Sequence, residues 1–313
     1  MTHKPRIALL GECMIELRGE MFGTMHQNFG GDTLNTAVYL ARLTADTGIE
    51  VLYATQLGTD AYSDAMVAAW QREGIDTRLV RREPGRMPGL YTIQVDEAGE
   101  RVFYYWRDSS AAKEYFHGES SPLEQAIDDL DALYYSGISL AVLPEAGRER
   151  LLRCAARLRE RGGIACFDNN YRARLWSAAA DARRWYDRAF GCCDLALITL
   201  EDHQALYAIA DAEAAVGHAF ALPVAEVVVK RGAESTRLRV AGGAASEVPT
   251  FPVAKVVDTT GAGDSFAGGY LAARLQGTPP EVAAKAGNKL ASIVVQHPGA
   301  IIPREATPQF FFG

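Results

Sequence analysis

Short apolar runs alternate along most of this chain with longer stretches in which apolar residues recur every third or fourth position. The runs at residues 7–10, 51–54, 132–135, 164–167, 195–198 and 226–229 predict buried strands, and the periodic stretches at 34–43, 61–72, 145–161, 179–190, 212–221, 265–275 and 280–295 predict helices. Strands alternating with helices over this length predict an α/β fold: a doubly wound, mostly parallel sheet covered on both faces. Ligand sites in such sheets lie beyond the carboxyl ends of the strands. The glycine turn at 261–263 and the segments 168–172 and 230–232 each follow a strand-like run, which would gather them at one edge.

One region departs from this alternation. Residues 90–95 and 101–107 are β-rich and flank Asp96-Glu97-Ala98-Gly99-Glu100, which reads as a hairpin connection and makes the region an antiparallel insert. Period-two geometry puts Phe103, Tyr105 and Arg107 on one face and Val102, Tyr104 and Trp106 on the other. Both faces are aromatic, so one is expected to cover a ligand and the other to meet protein.

Composition narrows the function classes. The 313 residues suffice for one large domain, and no repeat, low-complexity segment or compositional shift marks a linker. A formal net charge of −7 without a long run of Lys and Arg argues against nucleic-acid binding. Five cysteines, an odd count with no CxxC spacing, point to a reducing compartment. The apolar run at 7–10 is stopped by Gly11-Glu12, too short for a signal peptide or a membrane span, so a cytoplasmic location is expected. The six histidines show no metal-ligand spacing; Cys13 and Cys166 read as buried small hydrophobes, and Cys192-Cys193 as reactive only if exposed.

Candidate chemistry concentrates in Asp258-Thr259-Thr260-Gly261-Ala262-Gly263-Asp264, directly before a predicted helix. Small residues at 261–263 let backbone N–H groups point at an anion, and the helix adds the positive end of its dipole. A carboxylate there would repel phosphate, so Asp264 suits a base that takes the proton from an attacking hydroxyl. A glycine turn before a helix is also a plain packing solution. Phe266 stands where the third glycine of G-x-G-x-x-G belongs and no Walker pattern occurs, which disfavours dinucleotide binding and a P-loop. A second cluster, Phe29-Gly30-Gly31-Asp32-Thr33-Leu34-Asn35, precedes another helix. Its paired glycines admit a ligand close to the backbone, where Asp32 and Asn35 can bond sugar hydroxyls, although Asp32 or Thr33 can equally cap the helix.

The two clusters together, in this order and at this separation, resemble the signatures of the ribokinase-like (PfkB) carbohydrate kinases. Within that family the combination of residues 11–17, 30–35, 103–107 and 168–172 is most similar to the 2-keto-3-deoxygluconate kinases. The resemblance implies one ribokinase-like domain over 1–313, with a small β-lid formed by segments at roughly 12–28 and 86–117, ATP as phosphoryl donor, and Mg²⁺ carried on its phosphates. It implies Asp264 as catalytic base and the N–H groups of Gly261, Ala262 and Gly263 as the anion hole. Gly30, Gly31, Asp32, Asn35, Tyr91, Tyr105, Arg107 and Arg172 match sugar-acid contacts, while Lys230, Arg231, Gly232 and Asn288, with the 261–263 turn, match nucleotide contacts. Thr199-Leu200-Glu201-Asp202 departs from the Asn-x-x-Glu element of many members, which leaves the metal ligands unknown; Glu201 or Asp202 can act on Mg²⁺ through water. The loops at 257–259 and 298–300 resemble regions that hold a monovalent cation in relatives.

A physical argument for the substrate stands beside the resemblance. A sugar acid carries a carboxylate that asks for a cation, and Arg107 and Arg172 offer planar, bidentate donors. Either arginine can instead pair with a nearby acid such as Asp108 or Asp168. The open alternatives are a fructokinase, ribokinase or nucleoside kinase of the same fold, a sugar-sensing protein without catalysis and, more distantly, a Rossmann-type dehydrogenase. The exposed aromatic face of the insert points to a homo-oligomer formed through the lid.

Overall fold

The computed structural model describes residues 4–95 and 101–310. The first half of the chain forms β1 (Arg6–Leu10), β2 (Met14–Gly19), β3 (Met25–Gly30), α1 (Asp32–Leu43), β4 (Glu50–Leu57), α2 (Ala61–Arg72), β5 (Val80–Arg82), β6 (Leu90–Val95), β7 (Arg101–Trp106), α3 (Pro122–Ala126), β8 (Ala132–Ser136), α4 (Gly137–Val142) and α5 (Glu145–Glu160). The second half forms β9 (Ile164–Asp168), α6 (Ala179–Gly191), β10 (Leu195–Thr199), α7 (Leu200–Tyr207), α8 (Ala212–Phe220), β11 (Glu226–Lys230), β12 (Thr236–Val240), β13 (Ser246–Val248), α9 (Ala262–Arg274) and α10 (Pro280–Val294).

Nine strands build the main sheet in the order β13-β12-β11-β10-β9-β8-β1-β4-β5. From β11 to β5 the neighbours run parallel, and β12 and β13 extend the sheet antiparallel. The period of two along each strand divides the core. In β1, Ile7 and Leu9 enter a cluster with α1, α2, α9 and α10, while Ala8 and Leu10 enter a second cluster with α5, α6, α7 and α8. Helix periodicity supplies the facing stripes, as in α6, where Ala182, Trp185, Tyr186, Ala189 and Phe190 are buried. The strand order reverses between β1 and β8, where a doubly wound sheet opens a crevice beyond its carboxyl ends.

A second sheet of four strands, β3-β2-β6-β7, stands apart from the first. β6 and β7 are antiparallel with Tyr91 opposite Tyr105, as the insert pattern predicts; the connection at 96–100 lies outside the described residues. β3 is not announced by a strand pattern, because it reads Met-His-Gln-Asn-Phe-Gly without apolar alternation, whereas β2 carries a short alternation at Ile15-Glu16-Leu17-Arg18 that the sequence reading did not take as a strand. Among the described residues no helix is long and apolar enough to cross a membrane.

The glycine turn does not follow a strand. An irregular segment separates β13 from α9, and Val256 and Val257 in it are exposed, so its apolar letters serve no sheet. The N–H groups of Val257 and Asp258 both donate to Val295 O at the end of α10, which anchors the segment to a helix instead.

α9 lies close against α1. A methyl group on Gly268 would lie 2.7 Å from Tyr39 Cβ and 3.2 Å from Thr36 O, so only glycine permits this approach. Gly268→Val is therefore expected to destabilise the fold by about 1–3 kcal/mol through overpacking. Thermal melting should report that loss, and turnover should fall further than stability because the helices carry the groups described next.

Candidate active site

Two helix starts meet at the crevice. Gly31 is the N-terminal cap of α1 and Gly261 that of α9, the latter at φ 75°, a left-handed conformation that favours glycine. A methyl group on Gly31 would lie 2.1 Å from Glu12 O, and one on Gly261 2.8 Å from Ala300 Cα, so both turns are closed by backbone on the far side. One on Gly30 would lie 2.3 Å from the Tyr91 hydroxyl oxygen. The first two turns are thereby bound to the small sheet and to the loop at 298–300.

α9 begins at Ala262 rather than at 265, which puts Asp264 in its first turn. Asn35 Nδ2 donates to Asp264 Oδ2 at 2.8 Å, and Thr36 Oγ1 donates to Asp264 O at 3.2 Å. Burial, then the charge of Asp32, pushes the Asp264 carboxyl up to about 7, against the Asn35 hydrogen bond that favours its ionised form. Burial also raises Asp32, whose Oδ2 accepts from Asn170 Nδ2 at 2.7 Å. Of the three expected anion-hole donors, the Ala262 N–H donates to Thr259 O at 3.2 Å, whereas those of Gly261 and Gly263 meet no protein acceptor among the described residues.

On the small sheet Tyr91 and Tyr105 stack with ring centroids 5.7 Å apart, and the Tyr91 hydroxyl donates to the Glu16 carboxylate. Neither arginine is paired as the sequence suggested. The buried Arg107 guanidinium donates through one nitrogen to the buried Glu12, and Arg172 Nη1 lies 3.0 Å from Asp202 Oδ2. Glu12 follows β1 and Asp202 lies in α7, distant acids that sequence neighbourhood cannot reveal. Arg174, absent from the sequence-derived set, places its guanidinium carbon 3.9 Å from the Tyr105 ring centroid.

The expected nucleotide residues divide. Lys230 Nζ donates to Asp168 Oδ2 at 2.9 Å inside the crevice, and Gly232 takes a left-handed φ of 59° in the turn after β11. Arg231 is engaged elsewhere, with Ser235 and with Glu247 at 2.8 Å. Asn288 is likewise used internally: Oδ1 accepts from Thr236 Oγ1 at 2.8 Å, and Nδ2 donates to Val248 O and Pro249 O. Asp258 Oδ1 accepts from Thr260 N–H and Oδ2 from Gly299 N–H, joining the two loops at 257–259 and 298–300. Among the described residues no group of three or more His, Cys, Asp or Glu is arranged to hold a metal ion.

Sequence reasoning brought the segments 11–17 and 168–172 to the site but assigned no individual role to Asp168, Asn170, Glu12 or Glu16. The signal for the first two was a polar run, Asp168-Asn169-Asn170, directly after a buried strand. Cys13, Cys166 and Cys193 are buried and Cys192 is half-buried, with burial raising all four thiols.

Residues 4–307 match the pfkB family carbohydrate kinases. The chain belongs to this family. It is 47% identical over 306 residues to the 2-dehydro-3-deoxygluconokinase of Escherichia coli (strain K12), covering 97% of this chain and 99% of the relative. It is 45% identical to the enzyme of the same name from Dickeya dadantii (strain 3937), covering 98% and 100%. The crystal structure of a PfkB protein from Polaromonas sp. JS666 superposes with a TM-score of 0.81 at 27% identity, covering 96% of this chain and 98% of that one. The ribokinase-like α/β fold read from the sequence is the observed one.

Gly261→Ala tests the turn directly. A non-glycine residue at φ 75° against Ala300 is expected to cost about 1–3 kcal/mol, lowering the melting temperature and loosening the loop at 298–300 to amide exchange.

Proposed function

We propose that this chain is an ATP-dependent kinase that transfers the γ-phosphoryl group to the 6-hydroxyl of 2-keto-3-deoxygluconate, giving 2-keto-3-deoxy-6-phosphogluconate. The observation that carries this reading is Asp264: a buried carboxylate raised to about 7, held by Asn35 in the first turn of a helix whose leading amides at Gly261 and Gly263 are free. The 2-dehydro-3-deoxygluconokinase relatives at 45–47% identity over nearly the whole length support the choice of sugar.

Bound ATP, with Mg²⁺ on its phosphates, would supply the phosphoryl group. Asp264 takes the hydroxyl proton through Oδ1 while Asn35 fixes Oδ2. The Gly261 and Gly263 amides receive the charge that develops on the phosphoryl oxygens, an effect worth about several kcal/mol when donors are fixed in advance. Gly30 and Gly31 admit the sugar to the backbone, Asp32 and Asn35 take its hydroxyls, and Tyr91 and Tyr105 cover its apolar edge from the small sheet acting as a lid. Arg107 and Arg172 each keep part of the guanidinium beyond the ion pair for the sugar carboxylate. Lys230 and Gly232 face the nucleotide side, and Arg231 and Asn288 shape it from behind. Asp202 is engaged by Arg172, which leaves Glu201 as the carboxylate for metal-bound water. A monovalent cation would act at the Asp258–Gly299 joint. Tyr104 and Trp106, 49% and 62% exposed on the outer side of β7, are the surface a second copy of this chain would cover, and the enzyme would work in the cytoplasm.

ADP release measured with 2-keto-3-deoxygluconate, its galacto epimer, fructose and ribose tests the reading; the sugar acids should give the highest kcat/KM, and turnover with neither would sink it. Asp264→Asn should lower kcat by about 10²–10⁴-fold with both ligands still bound. Because the base works deprotonated, kcat/KM should fall as pH drops through about 7, and Asp32→Asn, which removes a charge that raises Asp264, should move that limb to lower pH. Arg107→Ala should weaken the sugar acid by about 1.5–3 kcal/mol and leave fructose nearly unchanged, and equal losses for both would count against carboxylate recognition.

A further inference from the structure

Lys230 ends β11 with its side chain buried, its Nζ 2.9 Å from Asp168 Oδ2. Asp168 ends β9, with β10 between them, and is held independently of the lysine. Its Oδ1 accepts the Asn170 N–H at 3.3 Å and its Oδ2 accepts the Tyr134 hydroxyl at 3.3 Å. The ammonium also abuts the start of α9, since a methyl group on Gly263 would lie 3.5 Å from Nζ. A buried cation thus stands beside the two free amides of the turn, in a crevice that also holds Asp32 and Asp264.

A buried ammonium needs a partner, and Asp168 supplies it. An anion seated on the Gly261 and Gly263 amides would come within reach of the same ammonium and compete for it. Lysine suits such an exchange, being a point charge on a flexible stem with three donors, so it can turn from a carboxylate to a phosphoryl oxygen without leaving its pocket. We propose that Lys230 is a catalytic cation that contacts the transferring phosphoryl group, with Asp168 holding it beside the turn until that group arrives. The proposal rests on the kinase reading and goes beyond it, assigning the lysine to the reacting phosphoryl group rather than to the nucleotide at large.

Lys230→Met and Lys230→Gln in the whole chain test it, the second keeping a hydrogen bond to Asp168 without the charge. Both should melt within about a few degrees of the parent and bind ADP within about threefold of it. Affinity for the β,γ-imido analogue of ATP should fall at least about tenfold, and kcat about 10²–10³-fold with the KM of the sugar acid unchanged. Near-parental kcat would overturn the proposal. Equal weakening of ADP and the imido analogue would overturn it too, by moving the contact to the α- or β-phosphate. So would a melting loss above about ten degrees in both variants, which would make the pair a joint between β9 and β11. The binding comparison needs no turnover, so it is separate from the parent's failure on every sugar, which would sink the kinase reading instead.

Discussion

The crevice depends on how closely α9 can approach α1. Gly268 removes the side chain that would hold the helices apart, and Gly269 and Gly287 allow the same closeness between α9 and α10, where a methyl group on Gly269 would lie 3.1 Å from Ala286 O. Only at that separation does Asn35 reach Asp264 and Thr36 reach its carbonyl. Tyr39, one turn further along α1, donates to Ala300 O at 2.6 Å and accepts from Ile302 N–H, which fixes the loop that closes against Gly261. One packing contact therefore sets Asp264, the turn in front of it and the loop behind that turn. Helix pairs meet at separations set by the residues in contact, so small residues here translate directly into catalytic geometry.

The second constraint is charge. Asp32, Asp168, Asp202 and Asp264 are all drawn into one region, and each has its own partner: Asn170, Lys230, Arg172 and Asn35. Two partners are cations and two are neutral amides. An amide orients a carboxylate without discharging it; burial raises Asp32, Asp202 and Asp264 alike, and at Asp264 the charge of Asp32 adds to it. For Asp264 the result is a carboxyl pushed up to about 7, with burial as the larger cause and the neighbouring Asp32 as the next.

Much of the frame could be read from apolar period alone. Strands such as β8 and β11, buried along their whole length, and helices such as α6, with one clear stripe, carry signals that tertiary packing reinforces. The small sheet was half legible: β6 and β7 show aromatic alternation, whereas β3 is polar on both sides because it packs on few residues. At the site, the glycine turns were legible since close backbone approach and a positive φ demand glycine locally. The ion pairs were not. Arg107 finds Glu12 across 95 residues and Lys230 finds Asp168 across 62, separations at which charge pattern in the sequence carries no information.

The pairing of Arg107 bears on selectivity. A buried guanidinium without an anion would be costly, and Glu12 supplies one through a single nitrogen. The remaining donors are then fixed in direction, with the Tyr105 ring centroid 5.7 Å from the guanidinium carbon. A ligand carboxylate brought to that guanidinium would meet donors already oriented and lose little entropy in binding them. A neutral sugar in the same place would strip water from those donors and return weaker hydrogen bonds, so it would be disfavoured by desolvation rather than by shape. On the proposed reading, selectivity for a sugar acid would follow from an arginine that is paired enough to be stable and free enough to bind.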